Sequence, residues 1–146
     1  MLQNLLLLEE LEFPYTSIFR KGIQIVGRHC PHLRSSTLNQ RTCSYSRSPR
    51  CDRQALAIAN SMPGLRRLQL IGNRMTSTGL MAILLKCHHL EYLDLRKCDG
   101  LCRILKDKPD LEMKLREQIR HVRFPQDSTE DCEFDTETDI SDVYWQ

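Results

Sequence analysis

Cys87, His88, His89, Cys98 and Cys102 gather within one short stretch, and their side chains are the types that hold zinc or act as nucleophiles. Zinc sites draw on close pairs such as Cys-x-x-Cys, with histidines three to five residues apart. Here Cys98 and Cys102 are four apart and the histidines are adjacent. No metal site and no cofactor is therefore expected. Cys98 lacks a paired general base to activate a thiolate. Glu9, Glu10 and Glu12 are carboxylates without evident means of separating their pKa values, as general acid–base work requires. Glycine-rich phosphate loops, His-Glu-x-x-His and Gly-x-Ser-x-Gly are all missing. No catalytic residue is assigned, and the chain is expected not to be an enzyme.

The elements that position these residues come from a chain of 146 residues, enough for one modest core. With 40% hydrophobic and 27% charged residues, the composition is that of a folded domain. The formal charge of +2 is unevenly spread: residues 127 to 142 hold eight acids and no base. The chain up to Phe124 therefore has 21 bases against 11 acids, a net of +10. Nucleic-acid binding would need those bases clustered beside stacking aromatics, a pattern the sequence does not display. No stretch approaches the ~20 apolar residues of a membrane span, and Leu5-Leu-Leu-Leu8 is too short for a secretory signal. Seven cysteines without a regular framework read as reduced thiols, which suits cytoplasm or nucleus.

An internal repeat organises the chain. Segments starting at Leu8, Leu33, Leu65, Leu90 and Ile119 each read apolar-x-x-apolar-x-apolar, with Ser36 the single departure. Their spacings are 25, 32, 25 and 29 residues. The closing alternation is that of a short strand with one face buried. Between strands the period becomes helical: Ile23 and Val26, Ala55 and Ile58, and Leu80 and Ile83 recur three residues apart. Asp52 and Ser77-Thr78 are placed as helix N-caps. Cys30-Pro31, Met62-Pro63 and Cys87-His88 end the helices. Asn73 and Cys98, each three residues after a strand leucine, are expected to point inward and bond the turning backbone. A strand–helix unit of this size cannot bury its own apolar face, so neighbours must stack. The expected fold is an α/β leucine-rich-repeat solenoid of about five repeats, with a curved parallel sheet inside and helices outside.

The repeat domain is expected over residues 1–124, with Arg41–Arg50 as an exposed loop inserted in the second unit. Residues 125–146 are expected to be an acidic, disordered tail. The uncapped apolar start predicts association through that end.

Leu8-Glu-Glu-Leu-Glu-Phe, Val26-Gly-Arg-His-Cys-Pro-His-Leu, Met62-Pro-Gly-Leu-Arg-Arg-Leu-Gln-Leu-Ile-Gly-Asn and Cys87-His-His-Leu-Glu-Tyr-Leu-Asp-Leu-Arg-Lys-Cys resemble the cysteine-containing repeats of plant F-box/LRR-repeat proteins. Arg123-Phe-Pro-Gln-Asp-Ser-Thr-Glu-Asp-Cys-Glu-Phe-Asp135 is similar to the end of that group's members. The resemblance implies the substrate-recognition part of an SCF-type ubiquitin ligase receptor, whose partner is a protein destined for ubiquitination. No F-box-like segment precedes the first repeat, so contact with the SCF adaptor is expected only of a polypeptide with an F-box upstream. The alternative is a truncated scaffold or decoy without a link to the ligase, with nucleic-acid binding ranked below both.

The residues flanking the buried position of each strand are expected to point to the concave surface of the sheet. Glu10, Glu12, Arg67, Gln69, Tyr92, Asp94, His121 and Arg123 are thus the candidate protein-binding residues, joined by Ser35 and Thr37. Together they are expected to form a solvent-facing groove, acidic at one end and basic at the other. Arg and Tyr are frequent energetic anchors in protein interfaces.

Overall fold

The computed structural model describes residues 7–13, 20–40 and 51–128. The expectations for the Arg41–Arg50 loop, for the start of the chain before Leu7 and for the acidic segment beyond Ser128 lie outside the described residues. The described chain runs β1 (Glu10–Phe13), α1 (Arg20–His29), β2 (Ser35–Leu38), α2 (Arg53–Ser61), β3 (Arg67–Gln69), α3 (Ser77–Lys86), β4 (Tyr92–Asp94), α4 (Asp99–Asp107), α5 (Pro109–Gln118) and β5 (His121–Arg123). It is an α/β protein whose five strands form one parallel sheet in chain order.

The strands pair where the repeat places them. Leu11, Ser36, Leu68, Leu93 and Val122 stand opposite one another across the four ladders. Leu68 and Leu93 are fully buried, in one core cluster with Ile58, Leu80 and Ile83 from the helices. Leu33, Leu65, Leu90 and Ile119, which open the repeats, are buried too. So are Leu38, Leu70 and Leu95, which close them. Neighbouring units are therefore sealed together by the leucine rows, and burial of each side chain contributes roughly 1.5–3 kcal/mol. Ser36 lies in the same row without a hydrogen-bond partner for its hydroxyl.

After each strand the chain turns in the same way. The N–H groups of Gln40, Gly72 and Lys97 donate to the carbonyls of Ile71, Arg96 and Pro125 at 2.8, 2.9 and 3.0 Å. Gly72 and Lys97 occupy equivalent places and both have positive φ, 80° and 61°. Glycine meets that demand without a Cβ penalty, and Lys97 meets it under strain. Pro125 takes the next place in this ladder and is buried, so the repeat contacts continue past residue 124.

Of the two capping expectations, Asp52 holds by position, its carbonyl accepting from Leu56 N at 2.8 Å, and Ser77-Thr78 is corrected. Asp52 precedes α2, but its carboxylate makes no bond to that helix. It reaches across to the next one, accepting from Thr76 N at 2.6 Å, Thr76 Oγ1 at 2.6 Å and Gly79 N at 3.2 Å. The helix start at Ser77 is capped by Thr76, which accepts from Thr78 N at 3.2 Å. Neighbouring helix starts stand side by side, so one carboxylate can satisfy the orphan N–H groups of either helix. Gly79 permits the approach: a Cβ there would stand 2.6 Å from Asp52 Oδ1 and 2.8 Å from Ala55 Cβ.

The unit between β4 and β5 holds two helices in place of one. Pro109, in the first turn of α5, lacks the N–H that a continuing helix needs, which breaks the run at Lys108.

Candidate binding surface

Two rows of side chains leave the sheet on the face away from the core. Glu10, Ser35, Arg67, Tyr92 and His121 are in register in the first, and Glu12, Thr37, Gln69, Asp94 and Arg123 in the second. Alternation along each strand forces this, because the residue between them is committed to the core. Glu10, Glu12, Arg67 and His121 are exposed; Gln69, Tyr92 and Arg123 are half-buried.

At the centre, the Arg67 guanidinium lies over the Tyr92 ring, 4.0 Å from its centroid. The stack spans β3 and β4 and fixes two otherwise mobile side chains as one flat platform. Tyr92 also donates its hydroxyl to Asp94 Oδ2 at 3.2 Å. Burial, then the charge and hydrogen bond of Asp94, pushes the Tyr92 phenol above its ordinary pKa, with Arg96 and Arg67 opposing.

Asp94 is the one candidate that is fully buried. It is 0% exposed. Arg96, itself 3% exposed, closes on it through Nη2–Oδ2 at 2.6 Å and through Nε to Oδ1 and Oδ2 at 3.0 and 3.1 Å. Asp94 Oδ1 also accepts from Arg96 N at 3.1 Å. Arg96 Nη1 in turn donates to the Ser128 carbonyl at 3.0 Å, and Arg123 Nη2 to the same oxygen at 3.5 Å. Asp94 thus belongs to a buried ion pair that ties the strand end to the turn after β5. Sequence reading missed Arg96 and Ser128; the two-residue spacing from Asp94 to Arg96 was the available signal.

The cysteine and asparagine side chains named for chemistry serve the backbone. Asn73 Oδ1 accepts from Met75 N at 2.9 Å, and its Nδ2 donates to Gln54 at 3.1 Å. The Cys98 thiol donates to the Leu70 carbonyl at 3.1 Å and that of Cys87 to the Met62 carbonyl at 3.6 Å. Burial pushes the Cys87 thiol up to about 11 and raises Cys98 further still. Both are held as thiols at neutral pH, the unreactive and non-ligating form. Among the described residues no group of three or more His, Cys, Asp or Glu side chains is arranged to hold a metal. No described helix is long and apolar enough to cross a membrane.

No protein-family model and no solved structure matches the chain. Curated plant proteins do. The chain is 40% identical over 132 residues to F-box protein SKIP19 of Arabidopsis thaliana, covering 90% of this chain and 41% of that protein. To F-box/LRR-repeat protein 22 of the same plant it is 42% identical over 128 residues, 88% of this chain and 39% of the relative. With F-box/LRR-repeat protein 21 it shares 40% identity over 138 residues, 86% of this chain and 44% of the relative. The chain therefore spans about two fifths of the length of these relatives. By this similarity, carried along nearly its whole length, the chain is a homologue of part of the plant F-box/LRR-repeat proteins.

Proposed function

We propose that the chain is a protein-binding leucine-rich-repeat module, its units stacked as a curved solenoid with the sheet on the concave side. The partner docks on the two outer rows, with the Arg67–Tyr92 stack at the centre. The observation that carries this reading is the stack itself, flanked by polar side chains in register on a face that the helices leave uncovered. Recognition is by contact alone, with no catalytic step assigned to this chain.

The relatives' names support a narrower reading: the partner is a target for ubiquitination, presented to an SCF-type ligase in cytoplasm or nucleus. Contact with the ligase adaptor falls to an F-box in the same polypeptide. In this reading the repeat domain, expected over residues 1–124, takes in the turn to Ser128 as well, and the acidic segment that follows modulates partner binding through its charge. It tightens or weakens association only at low salt, because exposed charges are screened within ~8 Å at physiological ionic strength.

Affinity capture from plant extract, with the full chain and with its Arg67→Ala and Tyr92→Ala variants, tests the reading. A target should be recovered by the parent chain and lost by both variants, and its half-life should lengthen when the parent protein is removed from the plant. Equal recovery by all three chains would end the sheet-face proposal. Recovery that depends on the face, with an unchanged half-life, would leave a binding scaffold in place of a ligase receptor.

A further inference from the structure

A cavity of about 490 Å3 opens at the β5 end of the sheet, where the outer rows meet the end of α5. Tyr92, Arg116, Arg120, His121, Arg123 and Phe124 line it, and among the described residues none of its lining is an Asp or Glu. The Arg116 guanidinium lies 4.4 Å from the centroid of the Phe124 ring, which fixes its plane on one wall. Glu112 reaches Arg116 at 3.3 Å, but the pair is open to solvent, with the side chains 40% and 63% exposed, so it is weak and the groove stays basic. At the opposite edge of the same sheet face the exposed side chains are Glu10 and Glu12. The face therefore has a charge direction, acidic at β1 and basic at β5.

We propose that this groove binds an acidic, extended peptide segment of the partner protein. The inference rests on the sheet face being the partner-binding surface and names the chemistry of one end of it. Guanidinium groups offer paired N–H donors in a fork that matches a carboxylate, so successive Asp or Glu side chains can engage Arg116 and Arg120. The stacks of Arg67 on Tyr92 and of Arg116 on Phe124 give an apolar or aromatic residue between those acids a flat surface to cover. Glu10 and Glu12 repel the same segment at the other edge, which sets the direction in which it lies.

The test is fluorescence anisotropy on the full chain, with a labelled peptide of alternating Glu and Ala around one Phe. Controls are its Gln counterpart and a short single-stranded DNA. At about 50 mM salt the Glu peptide should bind at least tenfold tighter than the Gln peptide, and the difference should collapse at about 500 mM. The paired Arg116→Gln and Arg120→Gln variant should lose at least tenfold in affinity with an unchanged circular dichroism spectrum. Lys21→Gln with Arg28→Gln, exposed on α1, should leave it unaltered. Equal binding of the Glu and Gln peptides would overturn the proposal, as would equal losses from the two variant pairs. Tighter binding of the DNA than of the Glu peptide, lost in the groove variant, would assign the site to nucleic acid instead. The face reading is judged separately by Arg67→Ala in the capture experiment, so either idea can fail while the other stands.

Discussion

Arg96 closes on Asp94 two residues upstream through a 2.6 Å contact, with both side chains out of solvent. A carboxylate that alternation places on an open sheet face is thereby withdrawn into a buried pair. Removing one partner leaves an uncompensated charge, which typically costs about 3–5 kcal/mol. Asp94→Ala should therefore lower the unfolding free energy, read from urea denaturation, by an amount of that order. Replacing both groups together, Asp94→Leu with Arg96→Met, should cost clearly less. A double variant as unstable as the single one would show that the pair itself, and not the stranded arginine, holds the strand end.

Leu93 and Arg67 lie on opposite faces of adjacent strands and separate packing from recognition. Leu93→Ala empties a fully buried site and should cost about 2–5 kcal/mol, enough to unfold so small an array. Arg67→Ala should keep the circular dichroism spectrum and the thermal midpoint while abolishing partner capture. If Arg67→Ala unfolds the domain, the exposed guanidinium has a structural part that its stack on Tyr92 does not explain.

Ser36 breaks the leucine row and leaves a buried hydroxyl unbonded. Such a group costs roughly 1–3 kcal/mol relative to an apolar one. Ser36→Ala should raise the unfolding free energy by about 1 kcal/mol or more, read from chemical denaturation with an unchanged m-value. A lower stability would mean that the hydroxyl is solvated or bonded in solution.

The buried thiols make stability fall at alkaline pH. The Cys87 thiol stands near 9.0 when solvated and at about 11 when folded. The folded state thus retains a proton that the unfolded state gives up. Its contribution is fully present below pH 9.0 and is lost as pH rises to about 11. Two pH units correspond to roughly 2–3 kcal/mol, and Cys98 acts in the same direction. Denaturation at neutral pH and near pH 10.5 should show the loss, and Cys87→Ala should flatten the slope. Parallel pH profiles for the two chains would exclude this thiol as the cause.

Strand register was written in the order of residues. The alternation around Leu68, Leu93 and Val122 commits one face of each strand to the core, and a slip of one residue would expose that whole row. The same alternation placed Glu10, Arg67, Tyr92 and His121 in one row, and the place three residues after a strand leucine put Asn73 and Cys98 inward at the turns, in the register and with the bonds the structure has. Local order could not say which neighbour a polar group would meet. Asp52 stands beside two helix starts, and only their packing gave its carboxylate to Thr76 and Gly79. Asp94 has the alternation of a surface residue; its burial came from Arg96, held from beyond β5 by the Ser128 carbonyl. The basic groove was invisible along the chain for the same reason. Arg116 lies on α5, Arg120 in the bend after it and Tyr92 on β4, and they line one cavity only because α5 ends beside the sheet. Hydrophobic periodicity is a local property and fixes which side of an element is buried. The partners of charged side chains are set by distances between elements, and those exist only once the units have stacked.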